Sequence, residues 1–144
     1  MLCLGRQYEL GIDMTSRTEF PLVFQKLKAI LKPYSTKLNL KADTAQAFYI
    51  DGPYSKKWKK ELFFGAAQIK KNYVSFYLMP IYMCPDLLKN ISPELKKHMQ
   101  GKSCFNFKKV EPSLFEELSQ LTKLGFDRFM KEENIRSVPK VKKP

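Results

Sequence analysis

One histidine and three cysteines are all this sequence has of those residue types, and each scarcity excludes something. A lone His98 rules out a metal site built from several imidazoles of one chain. Cys3, Cys84 and Cys104 are odd in number and form no Cys-x-x-Cys pair, which argues against a disulfide scaffold or a zinc ribbon. Reduced thiols in a cytoplasmic setting fit that usage. No apolar run approaches the ~20 residues that span a bilayer, so no membrane association is expected. The short apolar start at Met1 is broken by Arg6, Gln7, Glu9 and Asp13, which leaves no continuous core for a signal peptide.

Acids are scarce beside bases, 14 against 26, for a formal net charge of +12. The excess sits mainly in residues 55–61, 89–102 and 131–144. Such patches attract anions in general, nucleic acid among them. With 144 residues, 44% hydrophobic and 11 Phe and 7 Tyr, the chain has the make-up of one globular domain with an aromatic core.

Periodicity supplies the elements. Phe20, Val23, Phe24, Leu27, Ile30, Leu31 and Tyr34 recur at helical spacing, giving a helix over about 19–34 with Thr18 as N-cap and Pro21 in its first turn. Strands are expected at 37–41 (half-buried), 46–50 (ended by Asp51-Gly52-Pro53), 62–69, 73–82 and 103–107. The third has Gly65, Ala66 and Ala67 in its middle, as a central strand closely covered by a helix does. Short helices are read at 85–88 and, from the Ser92 cap, to about Met99, with Gly101 as terminator. Pro112 opens a last helix to about Glu133, whose stripe is Leu114, Leu118, Leu121, Gly125 and Phe129. The fold class is α+β, an antiparallel sheet of about five strands packed against an N-terminal and a C-terminal helix. The domain is taken as 15–134, with 1–14 as a loose extension whose pattern clears at Met14, as if the start were assigned too early. Residues 135–144 read as a disordered basic tail.

The run Tyr73-Val74-Ser75-Phe76-Tyr77-Leu78-Met79-Pro80, then Ser92-Pro93-Glu94-Leu95-Lys96, then Gly101-Lys102-Ser103-Cys104-Phe105-Asn106-Phe107, resembles the YdhG-like proteins, bacterial domains of unknown function. Phe63-Phe64-Gly65-Ala66 and the 118–129 helix are similar as well, so the likeness covers about 19–133. It implies an α/β sandwich distantly like frataxins and carries over no catalytic residue. For part of that wider group an iron-chaperone role has been suggested.

Iron would need clustered hard oxygen ligands. The nearest acidic sets are Glu111, Glu116 and Glu117, and Glu132 and Glu133; they read as solvated helix faces and favourable partners of a helix dipole. His98 beside Cys104 offers a nucleophilic pair on paper, but Cys104 lies in a strand pattern as a small hydrophobe and His98 on a Lys-rich helix. Gly101-Lys102-Ser103 echoes a phosphate loop, yet Lys96 stands where its first glycine belongs. An anion held by Lys102 near that turn survives as a reading. An aromatic set of Tyr49, Phe64, Phe76, Tyr77, Met79, Tyr82 and Phe105 is a candidate pocket lining between sheet and helices.

The expectation is therefore a non-enzymatic domain without cofactor or metal that binds a small or anionic ligand, with Lys102, Ser103, Tyr77 and Tyr82 as candidate contacts. Two alternatives stand beside it. One is a frataxin-like iron-binding chaperone. The other is nonspecific nucleic-acid binding through the loop of Lys56, Lys57, Trp58, Lys59 and Lys60, four cations around one indole.

Overall fold

A computed structural model describes the backbone of residues 12–56 and 58–132 and the side chains of residues 19–56 and 58–131. Helix α1 runs Ile12–Leu31 and continues as a 3-10 turn, Lys32–Thr36. The strands are β1 (Asn39–Asp43), β2 (Ala47–Ser55), β3 (Lys60–Ile69) and β4 (Val74–Leu78). Then follow α2 (Met79–Met83), a 3-10 helix (Pro85–Asn90), α3 (Pro93–Lys96), β5 (Met99–Gln100), β6 (Cys104–Phe107) and α4 (Pro112–Glu132). The sheet is wholly antiparallel, in the order β1-β2-β3-β4-β6-β5. The fold is α+β, with six strands rather than five. No helix among the described residues is long and apolar enough to cross a membrane.

The terminal helices bury their stripes on one face of the sheet. Phe20, Val23, Phe24, Leu27 and Leu31 of α1 meet Phe48, Ile50, Ala67, Phe76, Leu78, Phe105 and Phe107 of the strands, and Leu114, Leu118, Leu121 and Phe129 of α4 complete the core. β3 is central as expected. A β-bulge lets this strand do two jobs: Ile50 pairs with Gly65 and Asp51 with Phe63, so Phe64 is passed over. Phe64 turns inward to Tyr34, Phe126 and Phe129, with ring centroids 5.3–5.9 Å away. Gly65 then leaves room for Leu31, whose Cδ2 lies 3.0 Å from where a Cβ would stand. Gly125 likewise admits Pro80, 3.0 Å from its absent Cβ, so α4 rests directly on α2.

Several local expectations are corrected. Helix α1 begins at Ile12, so Thr18 is not its cap and Pro21 lies inside it; Pro21 is exposed, where a missing hydrogen bond is tolerated. Residues 12–14 thus belong to α1, while residues 1–11 and 133–144, which include the expected tail 135–144, lie outside the described structure. β1 is an exposed edge and not half-buried; Leu40 is 44% exposed, and Lys28 of α1 ties the strand down through Asp43 at 2.7 Å. Asp51-Gly52-Pro53 does not end β2, which bulges there and runs on to Ser55. The fourth strand stops at Leu78, because Pro80 fits the first turn of α2. The helix capped by Ser92 is one turn long, and Met99–Gln100 instead pairs with β6 as the second edge of the sheet.

A cationic apolar groove as the candidate functional site

Helix α2 and the 3-10 helix after it form one wall of a groove of about 470 Å³, lined by Ile81, Tyr82, Pro85 and Leu88. The other wall is Lys96 of α3, Met99 of β5, and Gly101 and Lys102 of the following turn. Pro80 and Pro85 open the two short helices and so set the first wall. Gly101 makes the second possible: its φ of +79° is a left-handed conformation that glycine adopts without strain, and it delivers Lys102 to the rim. The lining is apolar apart from the Tyr82 hydroxyl and two lysines, and it contains no carboxylate.

Helix α4 fastens both walls. Arg128 donates to both oxygens of Asp86, at 2.9 and 3.2 Å, holding the 3-10 helix. This hydrogen bonding pulls the Asp86 carboxyl below its ordinary range. On the other side Glu117 accepts from the Ser92 N–H at 2.6 Å and from the Ser92 hydroxyl at 2.7 Å, while Ser92 Oγ caps α3 through the Leu95 N–H at 3.1 Å. Replacing Glu117 by Ala leaves that half-buried N–H without its charged acceptor. The expected cost is about 2 kcal/mol in urea unfolding, with Glu117→Gln recovering part of it.

The candidate ligand contacts divide. Tyr82 and Lys102 come together in the groove. Ser103 does not line it; its carbonyl accepts from the Leu78 N–H at 2.9 Å and extends the β4–β6 pairing. Tyr77 is on the opposite face of the sheet, which no described helix covers, beside Tyr49, Phe63, Ala66 and Gln68. The expected aromatic lining is likewise split. Phe64, Phe76 and Phe105 are fully buried in the core under the helices, and Tyr49 and Tyr77 face away from it. Lys96, Met99, Leu88 and Ile81 are the groove residues that periodicity did not single out.

In the β2–β3 turn, Ser55 receives the Trp58 N–H on its hydroxyl at 3.2 Å and the Lys59 N–H on its carbonyl at 2.6 Å. Trp58 is 51% exposed, and Lys59 has a φ of +60°. Lys56 and Lys60 flank them on the exposed surface; Lys57 lies outside the described residues. His98 is engaged on both ring nitrogens, Nδ1 with the Asn106 carbonyl at 2.8 Å and Nε2 with Glu111 at 3.2 Å, and it stacks on Phe107. It therefore has no nitrogen left to serve Cys104, whose thiol contacts Asn106 Oδ1 at 3.4 Å and is pushed up by burial. Glu111, Glu116 and Glu117 serve His98, Gln120 and Ser92 respectively. Among the described residues no cluster of three or more His, Cys, Asp or Glu is placed to hold a metal ion.

Compared with known proteins, the chain matches no family model, no curated protein and no solved structure.

Proposed function

We propose that the chain is a YdhG-like domain of the bacterial cytoplasm that binds a small amphipathic anion in the groove between α2 and the Gly101 turn, without transforming it. One observation carries the reading: an apolar cleft of about 470 Å³ has two lysines and no carboxylate in its lining. That volume is within the range of small-molecule sites, with apolar walls for affinity and a few polar groups for orientation. A hydrocarbon or ring packs on Ile81, Leu88 and Met99, and its carboxylate or phosphate meets Lys96 and Lys102. The family likeness adds that the Gly101–Phe107 run, its most specific stretch, builds the turn carrying Lys102 and the strand behind it.

Isothermal titration calorimetry with octanoate and 1-octanol tests this. Octanoate is expected to bind about tenfold more tightly than the alcohol, a difference of about 1.4 kcal/mol, and the preference should shrink with added salt. Lys96→Ser with Lys102→Ser should erase the preference while leaving alcohol binding in place. Equal affinity of acid and alcohol in the unaltered protein contradicts the reading.

A further inference from the structure

The sheet face turned away from the helices carries a row of rings. Tyr49 and Tyr77 flank Ala66 across β2, β3 and β4, in the same register row. Phe63 lies against Tyr49 with ring centroids 4.7 Å apart. Cross-strand partners share a face, so Tyr54, opposite Glu61 and two residues along from Phe63, joins the same surface; it is 47% exposed. Ala66 is fully buried although no described helix covers it, because these rings lie over it. Together with Gln68 they bound a shallow depression of about 200 Å³.

Cations stand at both ends of this row. Lys70, just past the end of β3, places its Nζ 5.9 Å from the Tyr77 ring centroid, and Lys71 follows in the same turn. Lys56, Lys59 and Lys60 mark the other end, with the exposed Trp58 among them. The ten residues of β3 set the track between them at roughly 30 Å. Two carboxylates share the face. Glu61 is held by Lys41 at 2.9 Å, and Asp51 lies within the electrostatic reach of the same lysine.

We infer that this face is a platform for single-stranded nucleic acid, with bases stacked on Tyr77, Tyr49, Phe63 and Tyr54 and phosphates led along by the lysines at either end of β3. Rings accept any unpaired base by its π-face, and cations follow the backbone whatever the sequence. The overall charge of +12 supplies the attraction for a polyanion. A double helix keeps its bases stacked inside and cannot use the rings. The site is separate from the Lys96–Lys102 groove, and the two claims fail independently.

Fluorescence anisotropy of a dye-labelled oligothymidylate of about 16 nucleotides tests the inference on the full chain. The single strand should bind, lose affinity as salt rises, and outcompete a duplex of equal length. Tyr77→Leu with Tyr54→Leu should weaken binding roughly 10- to 100-fold at an unchanged salt slope. Tyr77→Phe, which keeps the ring, should bind as the unaltered protein does and shows that the site is intact. Lys70→Gln with Lys59→Gln should instead flatten the salt slope. No binding at low salt, equal affinity for duplex, or leucine variants that bind normally would each overturn it.

Discussion

Phe64→Ala should destabilise the domain by about 4 kcal/mol, within the range for truncating a fully buried ring. This ring is fully buried at the point where the two terminal helices and the 3-10 turn after α1 converge. It meets Tyr34 at 5.7 Å, Phe126 at 5.9 Å and Phe129 at 5.3 Å between ring centroids. It stands in the bulged position of the central strand, where no neighbour can move in to replace it. Since domains of this kind are stable by about 5–15 kcal/mol in all, the variant should be close to the limit of folding. Thermal unfolding by circular dichroism should show a midpoint lowered by roughly 15 °C. A loss below about 1.5 kcal/mol would mean that the cluster is loosely packed.

Gly52→Ala should cost about 2–3 kcal/mol, and the sign is what makes it informative. In an ordinary strand, alanine is better than glycine by roughly 0.5–1 kcal/mol. Here a Cβ would stand 2.5 Å from Phe129 Cε2, 2.7 Å from Cζ and 3.1 Å from the Leu62 carbonyl oxygen. Phe129 is fully buried and edge-on to Phe64, so it has nowhere to go. The steric account further predicts coupling: Phe129→Leu, harmful alone, should harm less in the Gly52→Ala background. Urea unfolding of the four proteins in that cycle measures it. Additive effects would show that Gly52 is constrained by something other than the ring.

The fold class was legible because its strongest signals are local. The stripes of α1 and α4 and the small residues of β3 all stand in the sequence at the spacing their elements need. What was not legible depended on partners far along the chain. Met99–Gln100 looks like the tail of a Lys-rich helix until β6 lies beside it. Tyr82 looks like the end of a strand, because Pro80 suits a strand edge as well as a first helical turn, and the packing of Gly125 on Pro80 favours the helical turn at 79–83. Tyr77 and Tyr82 stand in one candidate pocket although an unbroken strand over 73–82 would set them on opposite faces; in the structure α2 carries Tyr82 to the groove and Tyr77 stays on the open face of the sheet. The bulge at Phe64 had the same kind of effect, turning the neighbours Phe64 and Gly65 to the same, helix-covered face, which strict alternation cannot foresee.

The groove was half legible for a similar reason. Lys102 stands out beside a glycine, and Tyr82 as an aromatic. Lys96, Met99 and Leu88 are unremarkable in sequence and become a wall only when α3 and the 3-10 helix are tied to α4 by Glu117 and Asp86. Of the glutamates weighed for iron, Glu111 is the partner of His98 and Glu117 the tether of Ser92, while Glu133 and the Glu132 side chain lie outside the described residues.

The central claim is that an amphipathic anion occupies this groove, and amide shift mapping tests it most directly. The ¹⁵N-labelled protein is titrated with octanoate at low salt and followed by two-dimensional NMR. The account predicts saturable shifts at Ile81, Tyr82, Leu88, Met99, Gly101 and Lys102, with Tyr49 and Tyr77 unmoved. Shifts centred on the open sheet face or around His98, or no saturable shift anywhere, would contradict it.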